Sequence, residues 1–295
     1  MSIKHLVIAG GGPTIFKSLG VVQRLIKDKY IHVCDIESIY GSSAGAIIGV
    51  LISLNYDHDT LYDFMIKRPW NDVFNITIDK IFDAYSKKGI FDEKTIQKCF
   101  KSLLDAKSIP LDVTLEEYYN TYSKIELHFF TFDINHFVLE DISYLTNPTL
   151  PLLTAVKMSC GLPILICPTF LDSKCYIDGG IICNYPLKFC IESGKKECDI
   201  LGLQNEYTKT KINIVQESTL LEYIVNFLYK LIQNMNADNN NNDKCSIPNE
   251  IILEANLMTL DSLTSSINDA DARKSLFRTG EEVAIEYMKS KSILL

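Results

Sequence analysis

The chain has 295 residues, 47% hydrophobic and 22% charged, an ordinary globular composition long enough for one large α/β domain or two small ones. Its formal net charge of −8 argues against nucleic acid as the main partner and against global attraction to anionic membranes, since both need a basic surface. Nine cysteines, an odd number with no Cys-x-x-Cys pair, predict reduced and mostly buried thiols. No charged-then-apolar leader and no long clean apolar run is evident, so the expectation is an intracellular protein, soluble or peripheral to a membrane. Zinc is the alternative use of the cysteines, and the lack of histidines clustered with them argues against it; no cofactor is expected.

In chain order, His5-Leu6-Val7-Ile8-Ala9 is a short apolar run that predicts a buried first strand, ended by Gly10-Gly11-Gly12. A helix is expected over 15–28, where Ile15, Leu19, Val22 and Leu25 form one stripe. A second strand over 32–40 runs into Gly41-Ser42-Ser43-Ala44-Gly45, and a helix leaves that turn. Strand, helix, strand, helix in this order implies a parallel sheet with a right-handed crossover. Residues 59–85 scatter Phe64, Met65, Trp70, Phe74 and Phe82 among charges and Pro69, which reads as a long connection. Its aromatics are either core beneath that connection, or a flap or lipid-contacting surface.

Helices are expected over 93–104 and 115–122, then a strand over 125–131 and a turn at Asn135-His136 leading into Phe137-Val138-Leu139. A loop over 147–151 opens a helix over 152–159, followed by a proline-rich connection over 161–168 and a final strand over 175–177. The stretch 200–295 is expected to be a helical portion, with an amphipathic segment over 220–235, an asparagine-rich mobile loop over 234–244 and a closing helix over 279–289. The motif-bearing core covers 3–191, and the whole 1–295 is expected to form a single domain.

Chemistry concentrates in three places. Gly41-Ser42-Ser43-Ala44-Gly45 is a Gly-x-Ser-x-Gly turn between strand and helix, which pushes the Ser43 hydroxyl out of the sheet. Gly41 and Gly45 allow the tight bend, and the following helix aims its N-terminal dipole at the same spot. A serine needs a base, but His5, His32, His58, His128 and His136 all lie in the first half, which fits the serine–acid–histidine order poorly. The better candidate base is Asp178, at a predicted strand end, with Gly179 and Gly180 turning the chain away at once. Read alone, Asp178-Gly179-Gly180 is also a hairpin turn. Gly10-Gly11-Gly12 offers unobstructed backbone N–H groups for an oxyanion, or alternatively a phosphate loop or a plain tight turn.

Taken in order, these pieces resemble the patatin-like phospholipase family. The resemblance also takes in Ala155-Val156-Lys157-Met158-Ser159-Cys160-Gly161-Leu162-Pro163 with Cys167-Pro168, and Asn184-Tyr185-Pro186-Leu187, and it extends over about 3–191. It implies a three-layer α/β fold with a mostly parallel central sheet flanked by helices. It further implies acyl-ester hydrolysis of a lipid or phospholipid by a Ser43–Asp178 dyad, with the oxyanion held on the Gly11 and Gly12 region. The chain departs from the family in its glycine loop, where Pro13, Thr14 and Ile15 stand in place of a basic residue and another glycine. That departure leaves open a catalytically inactive lipid- or protein-binding relative. A dinucleotide site is the other alternative, with Gly10 and Gly12 opening a helix, Asp35 about twenty residues on, and Ile15 where its third glycine belongs.

Overall fold

The computed structural model describes residues 2–207, 214–220, 222–224, 226–228, 230, 246–256 and 259–293. Strand β1 (His5–Ile8) is followed by a glycine loop and helix α1 (Ile15–Lys27). Strand β2 (Ser38–Ser42) feeds α2 (Ala44–Ser53). The expected strand start at residue 32 is too early, because Val33–Asp35 closes a 3-10 turn before the chain extends.

The stretch read as a connection over 59–85 is instead three helices, α3 (His58–Lys67), α4 (Trp70–Val73) and α5 (Ile78–Lys87). Asp57 and Thr77 cap two of them by accepting backbone N–H groups, which is the local reason those helices start there. A short strand β3 (Gly89–Phe91) leads to α6 (Glu93–Ala106) and α7 (Leu115–Glu117). Next come β4 (Glu126–Asp133), β5 (Val138–Ile142) and α8 (Leu152–Ser159). Within the expected 161–168 connection, β6 (Ile164–Ile166) pairs with β3 in a small separate sheet.

Strands β7 (Thr169–Leu171) and β8 (Lys174–Asp178) precede α9 (Leu187–Glu192). Strand β8 is not the last. The portion after residue 200 contributes β9 (Ile200–Tyr207) and β10 (Glu250–Ala255) to the main sheet, so it is not simply helical. Two helices follow, Leu260–Asn268 and Ala270–Ile293, the latter longer at both ends than the expected 279–289. The segment 220–235 lies partly, and the tract 234–244 wholly, outside the described residues.

The main sheet has eight strands in the order β10-β9-β1-β2-β4-β8-β7, with β5 also on β4. The pairings from β10 to β4 are all parallel, and β5, β8 and β7 are antiparallel additions. Successive residues face opposite sides, as the two-residue strand period requires. Leu6, Ile8, Ile39 and Phe129 join the large core under α1, α2, α6, α8 and the closing helix. Val7, Tyr40 and Phe130 join a smaller core under α9. The result is a mixed α/β architecture with a mostly parallel sheet between helical layers.

Helix α1 crosses the closing helix at Gly20 and Gly280. A Cβ at Gly20 would strike the Phe277 carbonyl, and one at Gly280 the Lys17 carbonyl. Glycine therefore serves close backbone approach here, which outweighs its cost of about 1 kcal/mol in a helix interior.

Candidate active site

Pairing on β4 brings the two predicted side chains together. Phe129 and Phe130 pair with Gly41 and Ser42 of β2 on one edge and with Ile142 and Asp141 of β5 on the other. The next residue, Thr131, pairs with Glu140 of β5 and with Asp178 of β8. Strands β2 and β8 therefore run toward each other along the same edge and stop against consecutive residues. Ser43 and Asp178 meet where their tips abut, although 135 positions separate them (178 − 43). The Ser43 hydroxyl faces the Asp178 carboxylate closely enough to favour its ionised form.

Small residues are required on both sides of this junction. A Cβ on Gly41 would come within 2.6 Å of the Ala46 nitrogen, and one on Gly45 would strike the Ile8 carbonyl. Between them Ser43 takes φ 53° and ψ −119°, a region that costs a non-glycine residue about 1–3 kcal/mol. The strained turn is clamped from α8. The Ser43 N–H donates to Ser159 Oγ at 3.1 Å, and that hydroxyl donates in turn to the Phe130 carbonyl at 2.7 Å. Cys160 Sγ lies 3.2 Å from the Ser43 carbonyl, which accepts its weak hydrogen bond. On the other side, a Cβ on Gly179 would strike the Phe130 carbonyl, so the chain can leave β8 tightly only as glycine.

Asp178 is buried, and its Oδ1 accepts the Gly180 N–H at 2.7 Å. Burial pushes its carboxyl up from 3.8 to about 6, against the opposing effect of the Ser43 hydroxyl and the Gly180 N–H. It remains mostly ionised at neutral pH yet is a far better proton acceptor than an exposed aspartate.

The glycine loop sits opposite. The Gly10 N–H donates to the Asn184 carbonyl at 3.1 Å and is thus not available to an oxyanion, which narrows the predicted donor set. The N–H groups of Gly11 and Gly12 have no partner among the described residues, nor does that of Ala44 at the start of α2. Gly11, Gly12 and Ala44 all line the cavity that holds Ser43 and Asp178.

The loop is held by its Gly10 carbonyl, which accepts from Asn205 Nδ2 at 2.7 Å, Asn184 Nδ2 at 3.0 Å and Tyr207 Oη at 3.4 Å. Asn205 and Tyr207 belong to β9, and sequence reasoning did not single them out. Their signal, polar residues at the carboxyl end of a buried strand, is visible only once β9 is recognised.

The cavity has a volume of about 330 Å³ and is walled mainly by apolar side chains, among them Ile47, Phe64, Trp70, Phe74, Phe100 and Val156. Phe64, Met65, Trp70 and Phe74 of the 59–85 stretch are therefore partly core and partly cavity wall, whereas Phe82 is exposed. No histidine lines the cavity. His128, stacked on Tyr40 at 4.0 Å, is held by Glu126 and Asp141, which raise its pKa against burial. Asp35, the acid of the dinucleotide alternative, precedes β2 and accepts from Ser2, at the opposite end of the parallel strands from Gly10 to Gly12. A ribose bridging the two would have to span the sheet.

Among the described residues, no group of three or more His, Cys, Asp or Glu side chains is placed to hold a metal ion. The eight described cysteines are free. No described helix is long and apolar enough to cross a membrane.

Fold and site together define an α/β protein with a strained serine, a buried carboxylate and spare backbone N–H groups at the floor of an apolar cavity. Residues 6–191, more than half of the chain, match the patatin-like phospholipase family, and the chain belongs to that family. It is 28% identical over 220 residues to "Probable lipid hydrolase 463L" of Invertebrate iridescent virus 6, covering 72% of this chain and 73% of that protein. An uncharacterized protein of Acanthamoeba polyphaga mimivirus is 26% identical over 187 residues, 63% of this chain and 60% of its own length. The fold is similar to the crystal structure of VipD from Legionella pneumophila, with a TM-score of 0.58 and 17% identity, over 98% of this chain and 67% of that one.

Proposed function

We propose that the chain is a lipid acyl hydrolase of phospholipase A type, working through an acyl-enzyme on Ser43 with Asp178 as general base. The observation that carries this reading is the abutment of β2 and β8 on β4, which joins a hydroxyl to a carboxylate inside an apolar cavity. Membership of the patatin-like phospholipase family supports it, as does the lipid hydrolase name of the iridescent virus relative.

Ser43 Oγ attacks the ester carbonyl carbon while its proton passes to Asp178. The carbonyl oxygen becomes an oxyanion, for which the N–H groups of Gly11, Gly12 and Ala44 are the available donors. Each such donor contributes about 3 kcal/mol to transition-state stabilisation. Collapse of the tetrahedral intermediate breaks the ester C–O bond, and Asp178 returns the proton to the departing alcohol. Water then attacks the acyl-enzyme while Asp178 takes its proton, the bond from the acyl carbon to Ser43 Oγ breaks, the proton passes from Asp178 to Ser43 Oγ, and a free fatty acid leaves. The apolar walls favour an acyl chain over a charged group, and a pKa of about 6 keeps the base ionised at neutral pH. Peripheral contact with a lipid surface belongs to this reading, since its substrate resides in one.

Digestion of a mixed phospholipid extract, read by mass spectrometry, tests it. Wild type is expected to release fatty acid and lysophospholipid, and Ser43→Ala and Asp178→Asn to release neither. A folded wild-type protein that leaves every lipid intact would instead favour the inactive binding relative.

A further inference from the structure

Helix α5 is built inside out. None of its residues is buried, and Ile78, Ile81, Phe82 and Tyr85 stand exposed, Phe82 at 76% and Tyr85 at 96%. Their spacing of three, four and seven residues puts them on one face of the helix. The helix meets the protein through Lys80 and Ala84, its least exposed positions. Lys80 reaches inward, donating to the Asn75 carbonyl and side chain at 2.8 Å and lying 5.4 Å from the Phe91 ring. An amphipathic helix that turns its apolar stripe to water and its lysine to the protein exposes a surface that water disfavours.

The stripe does not end with the helix. Lys88, next after α5, lies 5.4 Å from the ring of Phe170, an exposed aromatic on β7. At the other end, Phe74 and Ile76, just before α5, line the catalytic cavity. Apolar surface therefore runs from the cavity wall outward along α5 to β7.

We infer that α5 and the tip of β7 form a docking face for a phospholipid bilayer, seated so that the cavity opens toward the leaflet. The inference rests on the acyl-lipid reading of the site for its choice of occupant. A lipid leaflet is favoured over a protein because the stripe is continuous with the cavity an acyl chain would enter. Its residues also suit an interface: isoleucine and phenylalanine for the acyl boundary, tyrosine for the headgroup level, and at the end of the helix Lys88, beside a Lys87 that is already paired with Asp83 at 2.7 Å. The face is a local feature, and it offers attachment despite the formal net charge of −8.

The test uses the full chain carrying Ser43→Ala, so that binding is read without turnover. It is sedimented with phosphatidylcholine vesicles, with and without phosphatidylserine, beside the same protein carrying Phe82→Glu and Tyr85→Glu. The expected result is pelleting with both vesicle types, weakened at least about tenfold by the two substitutions. In the otherwise wild-type protein, the same pair is expected to leave hydrolysis of a soluble short-chain ester unchanged and to lower hydrolysis of vesicle phospholipid. Pelleting that is equal with and without the substitutions would overturn the docking face, as would none at all. So would a dimer in size-exclusion chromatography that the substitutions dissociate, which would assign the face to a second copy. Failure of the wild type on the soluble ester, with vesicle binding intact, would sink the hydrolase reading and not the docking face. As a milder second pair, Phe82→Ala with Phe170→Ala is expected to reduce pelleting in the same direction.

Discussion

Replacing Asp178 by asparagine should make the protein inactive and more stable, by an amount that depends on pH. The carboxyl titrates at about 6 in the fold against an ordinary 3.8, because burial disfavours its charge. At about 1.4 kcal/mol per pH unit, holding this group ionised costs the folded state about 3 kcal/mol. The sign follows from where the protons sit. Below the unfolded value both states keep the proton, so nothing is lost. As pH rises from 3.8 toward 6, the unfolded chain releases its proton first, and stability falls. Above the folded value the whole cost is present. Asparagine has nearly the same shape and can still accept from the Gly180 N–H, but it carries no charge.

Urea denaturation of wild type and Asp178→Asn at about pH 8 and about pH 4 reads this directly, provided both give the same m value. The variant is expected to be more stable by up to about 3 kcal/mol at the higher pH and nearly equal at the lower. A variant equally or less stable at the higher pH would refute the claim that Asp178 is ionised at a cost. The companion readout is the wild-type kcat/KM for a soluble ester, which should rise with pH and level off above about 6.

Two further outcomes concern residues outside the dyad. Asn205→Ala removes the shortest of three hydrogen bonds to the Gly10 carbonyl and should lower kcat about tenfold with little change in KM, since it acts on the glycine loop. Measured stability of that variant should fall by only about 1 kcal/mol. Arg273, almost fully buried, donates to the carbonyls of Ile66, Arg68, Ser266 and Ile267, tying the closing helix to the ends of α3 and of Leu260–Asn268. Arg273→Met should cost about 2–4 kcal/mol in chemical denaturation, with Arg273→Lys recovering little because it lacks the planar fork.

Much of the catalytic half was legible because its elements are short, buried and separated by small residues. The apolar run His5–Ile8, the turn at Ser43 and the helix Leu152–Ser159 each stand where their local pattern predicts. The meeting of Ser43 with Asp178 was inferred from motif order, but its cause, two strands ending on one edge of β4, is a matter of register that no single segment carries. Strands β9 and β10 were missed for a related reason. Ile200–Tyr207 mixes buried apolar residues with Gln204, Asn205 and Glu206, so its period is weak, and the polar Asn205 belongs to the site.

Thr279-Gly280 looks like a helix boundary in sequence, yet Gly280 sits inside Ala270–Ile293 because α1 passes too close for a side chain. Helix α5 illustrates the remaining ambiguity. Helical spacing of apolar residues states which positions share a face, but not whether that face turns toward the core or away from it.

Covalent labelling with a fluorophosphonate probe tests the central claim most directly, because only an activated serine reacts. Intact-protein and peptide mass spectrometry should find one adduct, on Ser43, absent from Ser43→Ala and strongly slowed in Asp178→Asn. Folded wild-type protein that takes no label, or that takes it on another residue with Ser43 free, would contradict the account.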